Sequence, residues 1–188
     1  MATGEITRFG IKEVADVKFY EIDATSGEKK GEAVLTLDTL KVSNIESTAE
    51  QAEARGGKGN APLIIWDYGR EITVTLEDAL MSMETLSMMF EGKIDGSDGS
   101  VTINANTFPG VYYVEGKTFA RNEVDGKDHI FTFTIPKAKI QSEVTLTMEA
   151  EGDPTVFNMT LRVLRNKSGE MMTLERDTDA FTGTDIWA

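Results

Sequence analysis

Apolar residues in this chain recur mostly at every second position, the period of a half-buried strand. Residues 14–22 (VADVKFYEI) alternate weakly and stop at the turn-rich DATSGEKKGE. Residues 33–45 (AVLTLDTLKVSNI) carry Val34, Leu35, Leu37, Leu40, Val42 and Ile45. That pattern predicts one long strand, or two with a kink near Asp38 to Leu40. Leu63–Trp66 is apolar, Asp67-Tyr68-Gly69-Arg70 predicts a turn or bulge, and Ile72–Thr75 resumes the alternation. Further strands are predicted at 101–103, 111–119, 129–135, 144–148, 156–164 and 171–175. Asp125-Gly126, Asp153-Pro154 and NKSGE supply the turns between them, and Pro136 predicts a strand end or an edge.

One stretch has helical spacing instead. Leu76, Ala79, Leu80, Met83, Leu86 and Phe90 recur at intervals of three and four. Thr75 reads as the N-cap, with Asp78 completing a capping box in TLED, and Gly92 as the stop. The stripe is wide enough to need cover, so the helix is expected against the sheet with Leu80 buried. Met81, Met83, Met88 and Met89 crowd it. Methionine fills irregular cores, but it also adapts to partners, and the polar face is thin. Met88 and Met89 are therefore expected at a subunit contact.

Residues 47–61 contain STAEQAEARGGKGN, polar and with three glycines. Such a segment buries too little apolar area to order itself. It is expected to be an extended loop, mobile in the free subunit and ordered between subunits. Glu53, Arg55, Gly56, Gly57 and Lys58 are its candidate contact residues. The whole reads as a mainly β, antiparallel sandwich or half-barrel with one flanking helix. It is expected to be a single domain over residues 1–188, with a flexible amino-terminal arm (1–12) and a carboxy-terminal tail (176–188).

Charge narrows the function. The 19 Lys and Arg against 32 Asp and Glu leave 19 − 32 = −13. An acidic chain is a poor wrapper of nucleic acid and a poor ligand for an anionic membrane. Without cysteine there is no disulfide framework and no thiolate metal site. No apolar run is long enough to span a bilayer. MATGEITRFG lacks the apolar core of a secretory signal, so a protein made and kept in the cytoplasm is expected.

No stretch specifies catalysis. RGGKGN lacks the spacing of a phosphate loop, and DGSDGS lacks the alternating acids and distal Glu of a calcium loop. His129 is the only histidine, and no G-x-S-x-G is present. No enzyme, cofactor or metal is expected. Of Trp66, Tyr68, Tyr112, Tyr113 and Trp187, only Trp66 and Tyr68 are close together at strand spacing, which keeps a monomeric carbohydrate-binding or adhesion module open as an alternative.

The run from Leu63 to Phe90, an apolar strand leading into a Met/Leu-rich helix, resembles the major tail tube proteins of long-tailed, siphovirus-type phages. So does FTFTIPKAKIQSEVTLTMEAEGDPTVFNMTLRVL from Phe131 to Leu164, with its Ile-Pro-Lys strand end and Gly-Asp-Pro turn. The resemblance covers about Gly10 to Glu175. It implies two packed sheets in a tube wall, a flanking helix and a loop that contacts the next ring. It implies hexameric rings stacked into a tube that carries double-stranded DNA without binding it specifically. Tape measure, tail terminator and distal tail proteins would be partners, and the virion tail the location. Contractile tails and type VI secretion tubes share the general fold and stay open as alternatives. An acidic bore would repel the DNA backbone, and Asp38, Lys41, Glu143 and Glu149 are its candidate lining.

Overall fold

The structure, a computed structural model, describes residues 8–11, 13, 15–95, 99–141, 157–183 and 185–187. Its elements run β1 (Phe9–Ile11), β2 (Asp16–Ile22), β3 (Lys29–Leu37), β4 (Leu40–Gly56), β5 (Ala61–Asp78), α1 (Met83–Phe90), β6 (Lys93–Asp95) and β7 (Ser100–Thr102). They continue as β8 (Val111–Asn122), β9 (Asp128–Ile140), β10 (Phe157–Val163) and β11 (Thr173–Arg176). The chain is mainly β. β6 and β7 form a small hairpin, and the other nine strands make one sheet in the order β3-β2-β8-β9-β10-β5-β4. β1 extends the β2 side of β8, and β11 extends the β10 side of β9. Every described pairing is antiparallel.

The alternation in the sequence sets which face is buried. Val17 and Phe19 of β2, Leu35 and Leu37 of β3, Phe133 and Ile135 of β9, and Val74 and Leu76 of β5 enter a single core. Residues from β3 at one margin and β5 near the other meet in that core, so the sheet curves into a half-barrel. Two local devices shape it. A Cβ on Gly116 would lie 2.1 Å from the ring of Phe133, its cross-strand partner, so the ring lies over a residue without a side chain. Tyr112 pairs with Ala138 but Val114 with Ile135, which places one extra residue on β9 at Pro136-Lys137. The strand therefore bulges through Pro136 and does not end there. The bulge lets Phe133 and Ile135 on one side of it, and Ala138 and Ile140 on the other, all face the core.

The break at Asp38-Thr39 separates β3 from β4, as the kink in the pattern predicts. The helix differs from expectation. Thr75, Leu76 and Asp78 belong to β5, paired with both β4 and β10. Their alternation fits a strand as well as a helix, and two flanking strands decide it. The Asp78 carboxylate, buried, accepts hydrogen bonds from the Thr39 hydroxyl and from Leu80 N–H at the strand end. The true N-cap is Ser82, whose Oγ accepts from Thr85 N at 3.0 Å. The left-handed C-cap is Glu91 (φ 49°). Gly92 follows it, and a Cβ there would lie 2.4 Å from Val101 Cγ1. Leu80, in the connection, is 67% exposed, so it is not a core residue. Met88 and Met89 are the residues α1 puts into the core, at 8% and 1% exposure, and not an open subunit face.

Residues 47–61 are not a loop. β4 and β5 stay paired from Leu40↔Asp78 to Gly56↔Ala61, and only 57–60 turn. Ala, Glu and Gln are weak strand formers, but APLIIWDY opposite them is a strong one and supplies the ladder. The carboxy-terminal segment lies along the sheet. Asp177 N donates to Ile130 O and Phe181 N to Asp128 O, the Phe181 ring meets Phe119 at 5.2 Å, and Lys18 Nζ stands 4.2 Å over Trp187. The expected strand 144–148, the Asp153-Pro154 turn, Glu143, Glu149 and residues 1–7 and 12 of the amino-terminal arm lie outside the described residues, while 9–11 of that arm form β1.

Candidate functional site

The feature that the core does not explain is the far half of the β4–β5 hairpin. β10 pairs with β5 only from Thr73 to Asp78. Beyond that point, among the described residues, β4 and β5 pair with each other alone, as a two-stranded arm. From Thr48 to Gly56 at about 3.3 Å per residue, the arm is about 30 Å long.

Its two faces differ in chemistry. Glu50 pairs with Tyr68, Ala52 with Trp66 and Ala54 with Ile64, so Ile64, Trp66, Tyr68, Ala52 and Ala54 share one face, with Glu50 at its base. The alternate pairs, Gln51 with Asp67 and Glu53 with Ile65, make the other. Ile64, Trp66 and Tyr68 are 52%, 53% and 53% exposed. The polar face is laced by Gln51 Nε2 donating to Asp67 Oδ1 at 2.8 Å and Arg55 Nε donating to Glu53 at 2.6 Å. A contiguous apolar strip on a projecting element marks a contact surface, and Trp and Tyr are the residue types that carry contact energy.

The arm is pinned at its base and shaped along its length. Arg162 of β10 ion-pairs with Glu71, and Arg70 reaches Ser47 Oγ at 3.5 Å. Thr48 pairs with Glu71 but Glu50 with Tyr68, so β5 carries an extra residue beside Gly69 (φ 60°). This is the bulge anticipated for Asp67–Arg70, and the left-handed backbone is the reason a glycine stands there. At the tip, Gly57, Gly59 and Asn60 have positive φ, and Asn60 N donates to Gly57 O at 3.3 Å.

Glu53, Arg55, Gly56, Gly57 and Lys58 thus sit together at the distal arm. Their apolar partners Leu63, Ile64, Trp66 and Tyr68 were not among the contact residues expected from sequence. The available signal was an apolar run and a polar run of similar length on either side of a Gly-Lys-Gly turn. Asp38 and Lys41 are exposed at the end of β4 away from the arm. Burial, then the Asp38 carboxylate, holds Asp16 above the usual carboxylate range.

His129 is buried and serves the tail. Its Nδ1 lies 3.1 Å from the Asp177 carbonyl, and its Nε2 lies 3.6 Å from Asp125 Oδ2. Backbone N–H donation from Lys127 holds the Asp125 carboxyl below its ordinary range, with His129 contributing less. Among the described residues no three His, Asp or Glu side chains converge as a metal site.

The YomU/Tube protein family matches this chain in two segments, residues 9–96 and residues 93–174. Comparison with curated proteins gives no match.

Proposed function

The chain belongs to the YomU/Tube protein family, and from that premise we propose that it is a structural virion protein that polymerises as stacked hexameric rings into a phage tail tube. The family description points to a tube-type structural role and to assembly, and not to catalysis. The observation that carries the finer reading is the arm: an apolar face of Ile64, Trp66 and Tyr68 in solvent, on an element that the subunit's own core does not need. Such a face is stable in water only as a transient, and burying it against a neighbour is the physical drive for assembly.

DNA passes through the bore in this reading. Phosphates slide past an acidic wall without adhering, since six copies at −13 each repel them at close range. Asp38, Lys41, Glu143 and Glu149 are the proposed lining. Tape measure protein and the terminator and distal proteins of the tail are the proposed partners, with assembly in the bacterial cytoplasm before the tail joins the virion.

A glycan-binding module is the second reading, because Trp66 and Tyr68 do share an exposed face. Sugar platforms need hydrogen-bonding side chains beside the rings. Here Glu50, opposite Tyr68, is the one charged neighbour, and Ala52, Ala54 and Ile64 make up the rest of that face, which favours protein contact. Sedimentation velocity with negative-stain microscopy separates the readings. Rings or tubes support assembly. A monomer at all concentrations that is retained by a glycan column supports the second reading and ends the first.

A further inference from the structure

A crevice of about 520 Å³ opens between α1 and the β2–β3 hairpin. Val34, Met88, Ile94 and Tyr112 give it an apolar floor, with Val34 and Ile94 less than half exposed, and Glu21, Glu84, Glu91 and Lys93 line it as well. Burial, then the Glu91 and Glu21 carboxylates, holds the Tyr112 phenol above its ordinary range, so negative charge crowds the floor.

The arm tip has the opposite character. From Arg55 to Asn60 it holds two cations and no acid. Arg55 is engaged by Glu53, whereas Lys58, at the apex, forms no ion pair among the described residues. Leu63 lies beside the tip. Ala54 pairs with Ile64 and Arg55 with Pro62, so Leu63 is the extra residue of a bulge, and it is 68% exposed. Pairing runs down to Gly56↔Ala61, so the tip is the far end of the ribbon.

Resting on the assembly reading above, we propose that the arm tip of one subunit docks in this crevice on a second copy, with Leu63 on the apolar floor and the Lys58 ammonium among Glu21, Glu84 and Glu91. The two surfaces are different parts of one chain, so the contact is head-to-tail. Repeated from copy to copy it builds rings or stacks of rings, and it does not end at two subunits as a two-fold dimer does. The tip is the one stretch of the arm with cations and no acid, so it is the part of the arm that an acidic crevice attracts.

Charge exchange tests it. Lys58→Glu alone, and Glu84→Lys with Glu91→Lys, each raise the critical concentration for polymerisation by roughly tenfold or more. The triple variant combining them polymerises again near the wild-type concentration. Thermal melts by circular dichroism establish that each variant is folded. Carbodiimide coupling of wild-type polymer, read by mass spectrometry, is the check that needs no substitution, and it yields Lys58–Glu84 or Lys58–Glu91 linkages between subunits. Polymerisation of K58E at the wild-type concentration, absence of rescue among folded variants, or coupling of Lys58 only elsewhere overturns the docking. Wild-type protein that makes no polymer overturns the assembly reading itself.

Discussion

The near and far halves of the β4–β5 hairpin are the same two strands with opposite fates. In the near half Ile72, Val74 and Leu76 are buried; in the far half Ile64, Trp66 and Tyr68 have the same spacing and similar hydrophobicity and stand in solvent. The difference is what lies beneath. β10 and the core flank the near half, while among the described residues the far half pairs only with its own partner strand. Alternation therefore specifies a strand and its two faces, but not what covers them. A face patterned for burial and left bare is the mark of a second molecule.

The sharpest break between the halves comes from a buried carboxylate. Leu76→Asp places a charge in the core with no partner and removes the cooperative thermal transition, because the cost of several kcal/mol is of the order of the whole stability. Leu80→Asp, four residues on and largely exposed, melts within about 0.5 kcal/mol of wild type. If Leu80→Asp unfolds the chain, the strand reading of 75–78 is wrong and the helix begins earlier.

In the far half, replacing Trp66 and Tyr68 together with Ser leaves the melt nearly unchanged and removes rings and tubes. Deleting residues 53–59 does the same by shortening the arm. A deletion variant that still forms normal tubes refutes the arm's role. These outcomes invert those of Leu76→Asp, which costs the fold first.

Caps give a smaller contrast. Ser82→Ala removes the acceptor for Thr85 N and costs about 1 kcal/mol of stability, measured in urea. Thr75→Ala, at the residue that pattern alone makes the cap, lacks that term and costs only what a strand position costs. The smallest effect is electrostatic. Asp16 has its folded pKa raised by burial and by Asp38. The folded state therefore binds its proton more readily than the unfolded chain, and stability from this group rises as pH falls through the raised value. Asp16→Asn should be at least as stable as wild type at pH 7, with the difference closing as pH is lowered into the carboxylate range. A growing advantage for the Asn variant at low pH contradicts this.

Much of the architecture was legible from alternation and turns. The β3–β4 break, the Asp125-Gly126 hairpin, the NKSGE turn and the antiparallel, mainly β class all follow from it. The helix start was not, because Thr73–Asp78 satisfies both periods and the decision came from β4 and β10 on either side. The arm was not, because STAEQAEA has weak strand propensity and is extended only by its partner strand. Met88 and Met89 were placed outside by their helix's thin polar face, yet only eight residues are helical, and those two sulfur side chains are what the half-barrel takes in. The candidate contact surface was half visible. The polar strand, from Glu53 to Lys58, was picked out as a candidate contact, while Leu63–Trp66 opposite it was read only as an apolar strand and not joined to it.

Hydrogen–deuterium exchange of residues 48–71 in free and polymerised protein tests the central claim most directly. Among the described residues the arm's amides pair only with each other, so they exchange early relative to β8 and β9. The account predicts that polymerisation slows exchange across 48–56 and 61–71 by orders of magnitude, while the core strands change little. Equal exchange of the arm in both states, in polymer verified by microscopy, would show that the apolar face stays in solvent and that assembly uses another surface.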